Sequence, residues 1–104
     1  MINAVGSQRD KILRELSEIL KDMTSDWDIG YDGGIGPDTR LIADLEFESI
    51  DVVQLIVAIE ERFQRRDLPF EKLLMKDGRY VDEILVSDAV NFLCQHLNFN
   101  GTTA

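Results

Sequence analysis

Three stretches of the chain carry apolar residues at helical spacing. From about Gln8 to Met23, the residues Ile12, Leu13, Leu16, Ile19, Leu20 and Met23 recur at steps of one, three and four, which traces one stripe along a helix. Ser7 precedes the first turn of that stripe and is its expected N-cap. From Ser49 to about Arg65, Val52, Leu55, Ile56, Ile59 and Phe63 form the strongest stripe, while Ile50, Val53 and Val57 add a second one displaced around the same helix. A helix apolar on two sides either lies at the centre of a large core or reserves one face for a partner. A chain of 104 residues builds only a modest core, so the second stripe is expected at the surface, a core position being the alternative. Ser87 is the expected N-cap of a last amphipathic helix built on Ala89, Val90, Leu93, Cys94 and Leu97.

The segments between these helices read as punctuation. Residues 24–38 are rich in Gly and Asp and end in Gly36-Pro37, which predicts a long loop pinned to the core by Trp27, Ile29 and Tyr31. A short turn is expected over 40–45. Pro69 marks the end of the second helix or the start of the next element, residues 70–75 read as a short helix, Asp77-Gly78 as a turn and residues 81–85 as a further helical turn. There is no internal repeat, no low-complexity tract and no strand alternation longer than a few residues. The expected fold is all-α: a small antiparallel-type bundle of three main helices plus one short helix. It forms a single domain over 1–104, with its core at about 8–97 and a frayed tail at 98–104.

Charge narrows the class of partner. The net charge is −9, and residues 26–61 alone sum to −9, because ten acids face only Arg40; residues 62–80 sum to +3. Such a block repels nucleic acid and attracts a basic protein surface, speeding encounter in a salt-dependent way. The N-terminus has no basic stretch followed by a long apolar run, and runs such as 55–59 are too short for a bilayer, so a protein of the cytoplasm with no membrane insertion is expected. The single cysteine, Cys94, forms no internal disulfide and falls on the apolar stripe of the last helix. No metal site is expected. His96, the only histidine, has no second ligand or nucleophile near it in sequence, and the loop starting at Asp26 has Tyr31 and Pro37 where a calcium loop needs glycine and glutamate.

The chemistry concentrates at 44–63, DLEFESIDVVQLIVAIEERF, where Ser49 stands at the mouth of the strongest helix between Glu48 and Asp51. Taken alone, Ser49 reads as an ordinary N-cap. A phosphate attached there would instead meet unpaired backbone N–H groups and the positive end of the helix dipole. The string as a whole resembles the acyl carrier protein family, through Asp44-Leu45, Phe47-Glu48-Ser49-Ile50-Asp51, Leu55 and the run from Ala58 to Phe63. Leu41 and Leu45 are similar to the family's loop anchors, Leu68-Pro69 to its post-helix turn and residues 86–93 to its final helix.

The resemblance implies a carrier, not an enzyme, of the stand-alone type. Ser49 Oγ would be joined by a phosphodiester to 4′-phosphopantetheine, taken from coenzyme A by a Mg²⁺-dependent phosphopantetheinyl transferase. The arm's thiol would carry an acyl or aminoacyl thioester between enzymes of fatty-acid, polyketide or nonribosomal peptide type biosynthesis. Glu48, Ile50, Asp51, Val53 and Val57 would form the face recognised by acyl-transferring, synthase or ligase enzymes with basic docking surfaces. Ile56, Ile59, Ile84 and Ala89 would line a cleft for the acyl chain, and the carrier would act as a monomer. Three departures stand out: Glu48 replaces the family's usual aspartate, Ile50 its leucine, and Glu46 stands where glycine is common. The connections at 24–38 and 64–85 are long, which suggests a specialised carrier. The competing reading is an unmodified acidic adaptor that binds a basic partner through helix 49–65.

Overall fold

The apolar stripes become the core. A computed structural model describes residues 4–27 and 34–97, with side chains from Gln8 onward. In chain order it comprises α1 (Ala4–Thr24), α2 (Ser49–Phe63), α3 (Glu71–Leu74), β1 (Met75–Lys76), β2 (Arg79–Tyr80) and α4 (Val86–Leu97). Ile12, Leu16, Ile19 and Leu20 of α1, Leu55 and Ile59 of α2, and Val86, Ala89, Val90, Phe92, Leu93 and Leu97 of α4 are all buried together. Each fully buried Leu or Ile contributes about 1.5–3 kcal/mol against exposure, so these stripes hold the bundle. The long α1 lies against both α4 and α2, and α3 packs on α4. Cys94 is half-buried against the same core. No helix among the described residues is long and apolar enough to cross a membrane.

Both expected serine caps fail for reasons of context. The first helix begins at Ala4, which places Ser7 inside α1. Ser87 is the second residue of α4, and the helix is started by distant groups. The Val86 N–H donates to the Thr39 carbonyl and the Ser87 N–H to the Pro37 carbonyl, each at 2.9 Å, while the Leu85 N–H donates to Asp88 Oδ2 at 3.0 Å. Carbonyls from the 37–39 loop therefore satisfy donors that a side-chain cap would otherwise serve.

The connection after α2 differs most from expectation. Gln64 ends α2 in the left-handed region (φ 56°), and the short helix α3 covers only Glu71–Leu74. A hairpin follows, pairing Met75 with Tyr80 and Lys76 with Arg79. Its loop is Asp77-Gly78, with φ of 56° and 79°, the positive values that a two-residue hairpin turn of the primed type requires. Residues 81–85 form no helical turn, because their backbone pairs elsewhere. The Val81 N–H donates to the Leu74 carbonyl at 2.8 Å, the Leu41 N–H donates to the Ile84 carbonyl at 3.0 Å, and Leu85 bridges to Arg40.

That pairing clasps the segment leading into α2 to the segment leading into α4. Glu83 strengthens it: its carboxylate accepts the N–H groups of Ile42 at 2.8 Å, Ala43 at 2.9 Å and Ile84 at 3.0 Å. Leu41 and Leu45 sit buried beneath, where the family resemblance placed loop anchors. Trp27 anchors its loop by packing on Phe47, with ring centroids 5.3 Å apart. The expected anchors Ile29 and Tyr31, and the tail 98–104, lie outside the described residues. On the other flank Arg62 of α2 bridges Glu15 and Glu18 of α1, and its hydrogen bond holds the Glu15 carboxyl below the usual carboxylate range. The bridge is at the surface and adds little stability.

Removing the Glu83 clasp should be felt more strongly. Glu83→Ala leaves the N–H groups of Ile42, Ala43 and Ile84 without their carboxylate, and is expected to lower unfolding free energy by about 1–2 kcal/mol in urea titration.

Candidate functional site

The approach to Ser49 is a tight turn. Asp44 and Leu45 donate backbone bonds to the Arg40 carbonyl, Glu46 to Ile42 and Phe47 to Leu41, all at 3.0–3.2 Å. The Asp44 carboxylate closes the turn by accepting the Arg40 N–H at 2.8 Å and the Arg40 guanidinium at 3.0 and 3.3 Å. The guanidinium beside it holds the Asp44 carboxyl below the usual range. Leu41, Leu45 and Phe47 are buried. Between the last two, Glu46 takes φ of 62°, a conformation that glycine adopts without penalty and that costs other residues about 1–2 kcal/mol. The glycine common in the family at this position thus answers a backbone need that is present here too, and Glu46 meets it under strain.

Glu48 follows in extended conformation (φ −108°, ψ 176°) and is the N-cap of α2. Its N–H donates to Asp51 Oδ2 at 2.8 Å, and its carbonyl accepts the N–H groups of Asp51 at 2.9 Å and Val52 at 3.1 Å. Reciprocal bonding between the cap and the third helical residue is the arrangement of a capping box. Ser49 is therefore the first residue of the helix and does not cap it, which corrects the N-cap reading. Its side chain is exposed, and among the described residues its hydroxyl has no hydrogen-bond partner. The N–H groups of Ser49 and Ile50 are likewise unpaired.

The second apolar stripe of α2 lies at the surface. Ile50, Val53 and Val57 are 58%, 54% and 46% exposed, beside exposed Glu48 and half-buried Asp51. A cleft of about 630 Å³ opens at Ser49. Phe47, Ser49, Val52 and Val53 border it from α2 and its approach; Leu74, Tyr80, Val81 and Ile84 border it from the hairpin and its flanks. Of the four residues expected to line an acyl cleft, Ile84 alone borders this opening. Ile59 and Ala89 are 1% exposed in the core, and half-buried Ile56 packs against that core. Of the other lining residues, Val52 had been read as part of the buried stripe of α2, Val81 as part of a helical turn, and Tyr80 was assigned to no element because the hairpin showed in the sequence only as a turn at 77–78. Among the described residues no three His, Cys, Asp or Glu side chains gather as they would for a metal ion. His96 packs against Phe92 with the rings tilted by 46° and their centroids 4.7 Å apart.

Three substitutions test this geometry through stability. Ser49→Ala should change unfolding free energy by less than about 0.5 kcal/mol, whereas Asp51→Ala, which removes the Glu48 N–H acceptor, should cost about 1 kcal/mol. Glu46→Gly should raise the urea midpoint by relieving the positive φ, with a gain of about 0.5–1 kcal/mol.

The residues around Ser49 fit a phosphopantetheine. An exposed hydroxyl without an internal partner is available for attachment, neighbouring N–H groups can receive a phosphate oxygen, and an apolar cleft begins at the same residue. A family model described as the phosphopantetheine attachment site matches residues 10–77, from the first turns of α1 to the hairpin loop. No curated protein and no solved structure matches the chain. More than half of the sequence fits that model, and the helical fold agrees with it; the chain belongs to the phosphopantetheine attachment-site family, non-catalytic carriers that hold 4′-phosphopantetheine covalently.

Proposed function

We propose that Ser49 is the residue that receives the 4′-phosphopantetheine arm, and that the loaded protein carries acyl or aminoacyl groups as thioesters between enzymes of fatty-acid, polyketide or nonribosomal peptide type. The observation that supports this most is the state of the Ser49 hydroxyl. Glu48 and Asp51 complete the cap, so the hydroxyl at the helix start is exposed and unbonded. Attachment requires nothing further from this chain. The transferase supplies the base and Mg²⁺; Ser49 Oγ bonds to the pantetheine phosphorus of coenzyme A, the pyrophosphate bridge breaks, and adenosine 3′,5′-bisphosphate leaves. The arm then contributes the thiol on which a thioester forms.

The exposed stripe Ile50, Val53 and Val57, rimmed by Glu48 and Asp51, is the proposed docking face. Its charge suits enzymes with basic surfaces, and steering by those acids accelerates encounter most at low ionic strength. An unmodified adaptor could use the same stripe, but would have no need of an exposed serine at the helix tip, and the family match favours the carrier.

Incubation with coenzyme A and a broad-specificity phosphopantetheinyl transferase should add one phosphopantetheine to the intact protein, and Ser49→Ala should abolish the gain while keeping its helical circular dichroism. A parent protein that stays at its apo mass would support the adaptor. Glu48→Lys with Asp51→Lys should slow loading at least about tenfold at low salt and distinctly less at high salt, since screening already removes the attraction there. Equal slowing at both would argue against electrostatic docking.

A further inference from the structure

The hairpin offers a neutral wall to the cleft that begins at Ser49. Tyr80 borders that cleft and is 76% exposed, the most exposed large apolar side chain among the described residues. Nothing in the fold of the bundle explains why an aromatic ring is left there. The backbone at Tyr80 is equally unusual. The register pairs Met75 with Tyr80 and Lys76 with Arg79, and the next bond joins the Val81 N–H to the Leu74 carbonyl. In an antiparallel ladder, bonded and non-bonded pairs alternate, so Met75 and Tyr80 form a non-bonded pair whose N–H and C=O groups point out of the ladder. Met75 uses its outward N–H on the Glu71 carbonyl of α3. Tyr80 has no such partner among the described residues, which leaves a short free strand edge beside the cleft.

Resting on the modification proposed for Ser49, we infer that this edge and the Tyr80 ring form a docking site for the pantetheine arm itself. The arm is peptide-like: a geminal dimethyl carbon, two secondary amides and a terminal thiol. Its amides match the outward N–H and C=O of Tyr80, in the manner of an extended segment added to a sheet edge. Its geminal methyls match the ring of Tyr80 and the exposed Val53. Successive strand residues face opposite sides, so Arg79 carries its charge away from Tyr80's face, and Glu48 is the one charged group bordering the cleft. Tyr80 is thus a positioning residue for the arm, holding it near the bundle until a partner draws it out.

The test compares apo and fully loaded protein, with loading verified by intact mass on the same sample. The loaded form should show amide shifts at Tyr80, Val81 and Val53 in ¹H–¹⁵N spectra, slower hydrogen exchange at the Tyr80 amide, and contacts from the geminal methyls to the Tyr80 ring. Tyr80→Ala should remove those contacts and speed alkylation of the arm thiol by iodoacetamide about two- to fivefold, with Cys94 measured separately on the apo protein. Because Tyr80 is so exposed, the variant should fold; Tyr80→Phe, which keeps the ring, should retain most of the protection. Complete loading with shifts confined to residues next to Ser49, or alkylation rates unmoved by Tyr80→Ala, would overturn the docking site while leaving the carrier reading intact. Failure to load at all would instead remove the modification on which it rests.

Discussion

The cap of α2 is the constraint on which the site depends. A helix start must satisfy its first donors, and a serine at that place would ordinarily turn its hydroxyl inward to do so. Here the Glu48 carbonyl and the Asp51 carboxylate carry the cap, with the Glu48 N–H donating to Asp51 at 2.8 Å. The hydroxyl of Ser49 is thereby relieved of structural duty and stands exposed. In the proposed docking, the acids that finish the helix would also contribute to the negative surface through which a basic enzyme approaches.

That cap is held in place by a clasp that begins far along the chain. Glu83 secures the turn at Ile42 and Ala43, Asp44 binds Arg40, and the carbonyls of Pro37 and Thr39 start α4. One set of backbone bonds thus fixes both the entry to α2 and the entry to α4, which sets the first turn of α2 against the hairpin and creates the cleft between them. The cost is local: Glu46 must adopt a left-handed conformation for Phe47 to turn into the core. Such strain, three residues before the proposed attachment serine, is tolerated out of surplus stability.

The three long helices were legible because each carries an apolar stripe of several turns, and the exposure of Ile50, Val53 and Val57 was legible from a stripe that one small core could not absorb. The caps were less so. Serine is a strong signal for a helix start, yet at Ser7, Ser49 and Ser87 the helix begins before the residue or at it; at Ser87 the donors are met by loop carbonyls and Asp88, and at Ser49 the cap bonds run between Glu48 and Asp51 and leave the serine hydroxyl out. The hairpin was hidden for a different reason: two residues per strand are too few to show alternation, although Asp77-Gly78 did signal its turn. Seeing only the turn at 77–78 left Tyr80 and Val81 out of the cleft, whereas Ile56, Ile59 and Ala89, placed at its wall by the family resemblance, support the core. The family resemblance around Ser49 was legible despite its departures at Glu46, Glu48 and Ile50, because it depends on residues adjacent in sequence, and the family model covers that stretch.

A carrier differs from an enzyme in that its chemistry is borrowed. The fold needs to offer a hydroxyl, a docking face and a place for the arm; the bases and metal belong to other proteins. The most direct examination of this account is fragment-ion mapping of the protein after reaction with coenzyme A and a transferase. The phosphopantetheine is expected on the peptide containing Ser49, with Ser7, Ser17, Ser25 and Ser87 unmodified. Attachment at any of those other serines, with Ser49 unchanged, would contradict it.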